Sequence, residues 1–279
     1  MRSCPHLRPK GPGRGREPVS IGSAWLGMVL LACACAPPPP GAGAPDSGGA
    51  PLCEPEHPAL LYVTHSAGFR HAVLPHSVEV LREVASSVGL SVRHGEDARD
   101  ALQPGRYESC RAVVFFTSGE LPLTETQKEA FLAWVRGGGT FLGFHSATDT
   151  FYEWPAYGAM VGAYFDGHPW HQTVTIDVVQ AGHPIVAALA PLFRLNDEIY
   201  QFRDLVPDAS VLLRLDESSV DLGANGVRER PWRFPLAWVR SEGAGRVFYT
   251  ALGHGSAWDD PSFRTLVQGA LAWAAASAP

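Results

Sequence analysis

GGGTFLGFHSATDT, Gly137 to Thr150, is the stretch on which the reading of this chain turns. Three glycines stop the helix that precedes them, and Thr140 to Phe144 is the kind of short apolar run that fills a buried parallel strand. The run ends at His145, followed by Ser146, Ala147, Thr148 and Asp149. In an open α/β sheet, reactive groups collect at the carboxyl ends of the strands. This sequence puts an imidazole there.

The same grammar repeats on either side. Thr124-Glu125-Thr126-Gln127 has capping-box spacing, and Phe131, Trp134 and Val135 form the apolar face of the helix it opens. Arg111 to Thr117 (RAVVFFT) and Ala59 to Thr64 (ALLYVT) read as apolar strands, and LSVRHG as a weaker one. Pro75 opens a helix through Val88 that Gly89 stops. Strand, helix, strand, strand, helix, strand, joined by right-handed crossovers, predicts an α/β fold with a mostly parallel sheet covered on both faces. After Thr150 the pattern loosens. WPAYGAMVGAYF is expected to be a helix, QTVTIDVV an exposed or antiparallel strand, HPIVAALAPLF a short helix and turn, and NDEIYQF extended. SVLLRLD and PLAWVRSEGAGRVFYTALG supply three more strands, the last two a hairpin through Gly243 to Gly245. A helix from Asp260 to Ala275, capped by Asp259 or Asp260, closes the chain.

The 279 residues are 46% hydrophobic and 18% charged, enough to bury a sizeable core. Net charge is −6, with no dense basic block beyond the N-terminus, which argues against a nucleic-acid partner. Arg2, Arg8, Lys10, Arg14 and Arg16 precede the apolar run Ile21 to Cys35, which is too short to span a bilayer comfortably and fits a secretory signal. Leu30-Leu31-Ala32-Cys33 resembles a bacterial lipobox with Cys33 as the lipidated residue; Cys35 is the second choice. The expected organisation is a lipoprotein signal over 1–33, a disordered Pro/Gly linker over 34–52 and one domain over 53–279, without internal repeats. The lipid would hold the protein on a membrane, and Ala rather than Asp after Cys33 points to the outer membrane, facing the periplasm. In that oxidising compartment Cys53 and Cys110, both just ahead of parallel strands, are expected to form a disulfide on the amino-terminal rim of the sheet.

Three histidines follow three strand ends: His65, His145 and His254. Neutral imidazoles gathered on one edge bind a transition metal or move protons near neutral pH. His65, His145 and His254 are therefore the candidate ligands of a divalent metal such as zinc, and His145 and His254 the candidate acid/base groups. Glu198 and Asp149 are the carboxylates expected to orient an imidazole or accept a proton. His168 and His171 lie in DGHPWHQ, a loop that Gly167 and Pro169 keep non-helical. Together with Trp154, Trp170 and Trp258 as walls for a sugar ring, they are candidates for holding substrate. One histidine at a strand end is more often a hydrogen-bonded loop residue, and most tryptophans are core, so it is the convergence that carries weight. His57, His71, His76 and His94 read as surface residues, and His183 as a turn residue. There is no dinucleotide or phosphate fingerprint: GPGRGR lies in the signal and GGG follows a helix.

GGGTFLGFHSATDT, WPAYGAMVGAYFDGHPWHQ, NDEIYQF and GRVFYTALGHGSAWDDPSFRTLVQGALAWAA, in this order, resemble the ThuA-like (trehalose-utilisation) family over about Ala59 to Ala275. The resemblance implies a flavodoxin-like α/β three-layer sandwich of the class I glutamine amidotransferase type and a link to carbohydrate metabolism. In true amidotransferases a Cys occupies this strand-to-helix elbow, with a His near the C-terminus as its base. Here His145 stands where that Cys would be, and His254 roughly where the partner His is expected. Cys110 precedes its strand and Ser146 is offset by one residue, so thioester and serine-ester chemistry are both disfavoured. The favoured reading is an envelope enzyme, or enzyme subunit, acting on a carbohydrate or keto-sugar derivative, with any redox cofactor carried by a partner oxidoreductase. The alternative is a non-catalytic lipoprotein that holds a carbohydrate or a partner in a degenerate amidotransferase-like cleft.

Overall fold

The computed structural model describes residues 49–228 and 233–276. Cys33, Cys35 and the linker as far as residue 48 lie outside the described residues. The first half alternates strictly: β1 (Ala59–Val63), α1 (Leu74–Ser87), β2 (Ser91–Gly95), α2 (Ala98–Ala101), β3 (Val113–Phe115), α3 (Glu125–Arg136) and β4 (Thr140–Phe144). A single 3-10 turn, His145–Thr148, follows β4 directly. Then come α4 (Pro155–Val161), β5 (Tyr164–Phe165), β6 (Trp170–Val178), β7 (Leu192–Ile199), β8 (Phe202–Arg203), β9 (Ser210–Leu215), β10 (Pro235–Glu242), β11 (Gly245–Thr250) and α5 (Pro261–Ala275).

Nine strands form one sheet in the order β2-β1-β3-β4-β11-β10-β9-β6-β7, and β5 pairs with β8 separately. The first five are mutually parallel; β10, β9, β6 and β7 continue antiparallel. The order 2-1-3-4-11 is that of a flavodoxin-like doubly wound sheet, so the chain has the expected α/β three-layer architecture. β1, β3 and β4 are buried at every residue, as parallel strands covered on both faces must be. Alternation along β1 shows both covers. Tyr62 reaches α1, where its hydroxyl bonds the Ser77 hydroxyl at 2.8 Å, while Leu61 points to the other face, towards Ala101 of α2. α5 packs beside α1, tied by an Arg264–Glu83 ion pair at 2.6 Å. α3 joins α2 through the Gln127 amide, which donates to the carbonyls of Arg99 (2.7 Å) and Leu102 (3.3 Å).

Local signals explain the element ends. Thr124 and Gln127 form the complete capping box of α3. Asp260, rather than Asp259, caps α5, accepting the N–H groups of Ser262 and Phe263. Gly245 opens β11 because a Cβ there would lie 1.9 Å from the Val135 carbonyl oxygen at the end of α3. Cys53 and Cys110 are joined as a disulfide, with Cα atoms 5.0 Å apart, ahead of β1 and β3 on the amino-terminal rim. Two local expectations fail. HPIVAALAPLF forms turns and no helix, and its last two residues, Leu192 and Phe193, already belong to β7. His171 lies not in a loop but on β6, because the strand extends back to Trp170, whose indole is buried against Phe234.

The antiparallel half is what completes the carboxyl edge. β7 is separated from β11 by three strands, yet the Asp197 carboxylate on β7 accepts the backbone N–H groups of Gly253 and His254 just beyond β11. The extension therefore folds back and lays its edge strand over the ends of the parallel strands.

Candidate functional site

His145 takes the first position beyond β4 in a left-handed conformation, φ 46°. A side chain with a Cβ adopts that conformation at a cost of order 1 kcal/mol or more, and the sharp turn it makes is what aims the side chain off the strand end. The imidazole is completely buried. Its Nδ1–H donates to the Ala251 carbonyl at 2.7 Å, which leaves Nε2 as the lone-pair nitrogen. Three groups meet Nε2: the Tyr200 hydroxyl, which donates to it at 3.0 Å, His254 Nδ1 at 3.3 Å and Glu198 Oε2 at 3.5 Å. His254 Nδ1 is itself 3.3 Å from the same Glu198 oxygen. The His71 ring stands edge-on to His145, centroids 4.8 Å apart, and 5.4 Å from that of His254. One ligand atom from each of His71, His145, Glu198 and His254 falls within 4.8 Å of all the others.

Four chain segments supply this cluster, which explains its reach through the sequence. β4 and β11 are adjacent and parallel, so the residues after them, His145 and His254, leave the sheet side by side. The loop after β1 carries His71. β7 carries Glu198, paired across the strands with His171 of β6, and Tyr200 follows just after its end. Asp197 fastens the assembly. Fully buried, it accepts N–H bonds from Glu198 (2.8 Å), Gly253 (2.8 Å) and His254 (2.9 Å), holding the two backbones that bear cluster side chains.

The electrostatics follow from this packing. Burial, then the neighbouring imidazoles of His145 and His254, push His71 down to about 3, so it is neutral at physiological pH. Burial lowers His145 also, against the pull of Glu198. The hydrogen bond to Glu198 raises His254, outweighing burial. Glu198 loses solvation, but its bonds to His145 and His254 prevail and hold its carboxylate well below the ordinary range. Burial raises Asp197 to about 7 against its three N–H donors. Tyr200, raised well above an ordinary phenol by burial, remains a hydrogen-bond donor. The arrangement thus offers two neutral imidazoles, a His254–Glu198 ion pair and a neutral phenol converging on one point.

Not every residue singled out in the sequence joins it. His65 stands apart: its Nδ1 accepts the Ala98 N–H at 3.2 Å, at the start of α2, and His71 of the same loop occupies the place expected of it. Asp149 is turned aside, accepting the Tyr152 hydroxyl at 2.7 Å. His168 and His171 are exposed and lie against the cluster. His168 Nδ1 is 3.7 Å from Glu198 Oε1, and the His171 ring meets that of His254 edge-on with centroids 5.1 Å apart. The three tryptophans do not wall a sugar site. Trp258 is buried between Phe116, Phe144 and Phe263, with its N–H on the Gly253 carbonyl; Trp170 is buried with its N–H on the Asp221 carbonyl; Trp154 packs on Phe151 and Tyr157. Two other aromatic side chains touch the histidines of this region: Phe165, stacked on His168, and Phe69, 66% exposed and edge-on to His71. Among the described residues the Ser146 hydroxyl is buried without a hydrogen-bond partner, so no base is bonded to it, which weighs against a serine nucleophile.

Comparison with known proteins agrees with this architecture. The ThuA model, described as trehalose utilisation, matches residues 59–274. The chain belongs to the ThuA family. A ThuA-like protein from Bacteroides uniformis shares 22% identity, with 84% of this chain and 96% of that one covered, at a TM-score of 0.68. A second, from Parabacteroides merdae, shares 21% identity over 77% of this chain and 89% of that one, at a TM-score of 0.60. At such identities these structures speak for the fold. No curated protein matches the chain. Within this ThuA-family chain, His71, Asp197 and Tyr200 are the residues that sequence reasoning passed over. Asp197 had a signal: Phe193, Leu195, Asp197 and Ile199 are the alternating buried set of β7, and a carboxylate on that face is anomalous.

Proposed function

We propose that this ThuA-family protein is an enzyme of carbohydrate utilisation whose chemistry takes place at the His145–His254–Glu198 cluster. The observation that carries this reading is the convergence on His145 Nε2. An imidazole held at a strained elbow, with its tautomer fixed from behind, faces a phenol donor, a second imidazole and a carboxylate. Such a set can withdraw a proton from a hydroxyl or a carbon next to a carbonyl, and stabilise the oxyanion that results. His168, His171 and Phe69, all exposed beside the cluster, suit a polyhydroxylated ring, with imidazoles for the hydroxyls and an aromatic surface for the apolar face. The substrate class rests on the family description and on this chemistry; keto-sugar derivatives fit an acid/base site best. On the lipobox reading the enzyme sits on the cell envelope, anchored through Cys33 to the outer membrane and facing the periplasm, with a partner oxidoreductase carrying any redox cofactor.

Turnover on a panel of disaccharides and their keto derivatives, measured for the native protein and for His145→Ala, tests the proposal. Loss of turnover in the variant is expected, with folding unchanged by circular dichroism. Turnover that survives the substitution overturns the role of His145. Saturable binding of the same sugars without any turnover overturns the enzyme in favour of a carbohydrate-binding protein.

A further inference from the structure

We infer that His71, His145, His254 and Glu198 bind one divalent transition-metal ion of the zinc class, and that this ion is the cofactor of the reaction proposed above, on which reading only the second half rests. Around a tetrahedral ion bonded at ~2.1 Å, neighbouring donor atoms stand ~3.4 Å apart. His145 Nε2, His254 Nδ1 and Glu198 Oε2 stand 3.3, 3.3 and 3.5 Å from one another. They already form one face of such a shell, and a His71 ring nitrogen lies within 4.8 Å of a ligand atom of each of the other three residues.

The donor set decides the class of ion. Three nitrogens and one oxygen suit zinc and its first-row neighbours; magnesium and calcium require shells of oxygen. The supports behind the donors are those of a metal centre. The Ala251 carbonyl takes the Nδ1–H of His145 and so presents Nε2 as a lone pair, and Asp197 fixes the backbone at both Glu198 and His254. A proton shared between His254 and Glu198 accounts for one of the three spacings. It does not account for a third imidazole, His71, held 5% exposed against the other two. The Tyr200 hydroxyl, 3.0 Å from Nε2, would lose that acceptor once Nε2 is a ligand and would then be free to donate to a substrate oxygen beside the ion.

The test uses the full chain, purified without a polyhistidine tag, stripped with chelator and titrated with Zn2+ by equilibrium dialysis, with Co2+ as a spectroscopic substitute. One ion per chain is expected, and a visible Co2+ ligand-field band of tetrahedral intensity. His71→Ala, His254→Ala and Glu198→Gln should each weaken Zn2+ binding by more than the roughly 10–100-fold that loss of an outer-shell partner causes. Should any of these unfold, His254→Asn and Glu198→Asp provide the same reading. His65→Ala should bind as the native chain does. Failure to bind below millimolar Zn2+, binding untouched by the cluster variants, or loss of binding in His65→Ala overturns the site. Binding is read without substrate, so the two proposals fail separately. Tight zinc without turnover sinks the enzyme and leaves the site, whereas full turnover in stripped protein sinks the metal as cofactor and leaves the enzyme.

Discussion

His71 is the member of the cluster whose burial is simplest to weigh. Replacing it with Phe keeps an aromatic ring against Phe69, Phe116 and His145 and removes the titration. In the native fold the imidazole has moved from its ordinary 6.5 to about 3. A base depressed in this way contributes its full stability above the unfolded value, and loses it as pH falls through 6.5, because the unfolded chain takes up the proton and the folded one does not. Between about pH 7.5 and about pH 5 the loss is about 2 kcal/mol. Asp197 works in the opposite direction. Raised from 3.8 to about 7, it costs stability at neutral pH and returns about 2–3 kcal/mol over the same interval. These two contributions offset each other in the native protein, alongside those of His145, Glu198 and His254, so the comparison with the variant is what isolates His71. Urea unfolding of native and His71→Phe protein at both pH values, with chelator present, should show the variant gaining about 2 kcal/mol relative to native on acidification, whatever its baseline at pH 7.5. A difference between the two proteins that does not change with pH would refute the neutral, buried state of His71.

Three further outcomes are expected. Reduction of the Cys53–Cys110 bridge, or the double Cys→Ser variant, frees a loop of 57 residues and should lower unfolding free energy by about 4 kcal/mol, read by urea titration, while substrate turnover stays unchanged because the bridge lies on the opposite rim. Gly245→Ala drives a Cβ into the Val135 carbonyl and should lower stability by about 1–3 kcal/mol, seen as a fall in Tm. Tyr200→Phe removes the one hydroxyl donor to His145 Nε2 and should reduce kcat about 100-fold or more with little change in Tm; an unchanged kcat would make Tyr200 a packing residue.

The sheet was legible because its strands are short apolar runs with strong punctuation, and β-α alternation leaves few topologies open. His145 and His254 were legible as neighbours for the same reason: each follows a parallel strand, and those strands are adjacent. The rest of the cluster depends on distances that no local pattern contains. His65 and His71 share one loop, and only its path, with His65 turned to the start of α2, selects between them. Glu198 reaches the site because the antiparallel half folds back, a property of sheet curvature rather than of any residue in NDEIYQF. The tryptophans misled because an indole beside a candidate site has the same sequence signature whether it lines the cleft or supports it. Trp258 supports it, its ring against Phe116 and Phe144 and its N–H on the Gly253 carbonyl.

That support gives the elbow its meaning. A left-handed turn at the end of a buried strand is useful wherever one side chain must stand alone above a sheet, and here the side chain is an imidazole rather than a thiol or hydroxyl. A nucleophile at such a turn needs a base beside it and an oxyanion hole in front. An imidazole there is instead crowded at one nitrogen: the Tyr200 hydroxyl donates to Nε2, His254 Nδ1 stands 3.3 Å away, and the Glu198 carboxylate, itself an acceptor, 3.5 Å away. Two imidazole nitrogens and a carboxylate oxygen packed at 3.3–3.5 Å satisfy one another only through a cation among them, a proton or a metal ion. Acyl transfer at this turn would leave that crowding without purpose, whereas an acid/base or metal centre requires it.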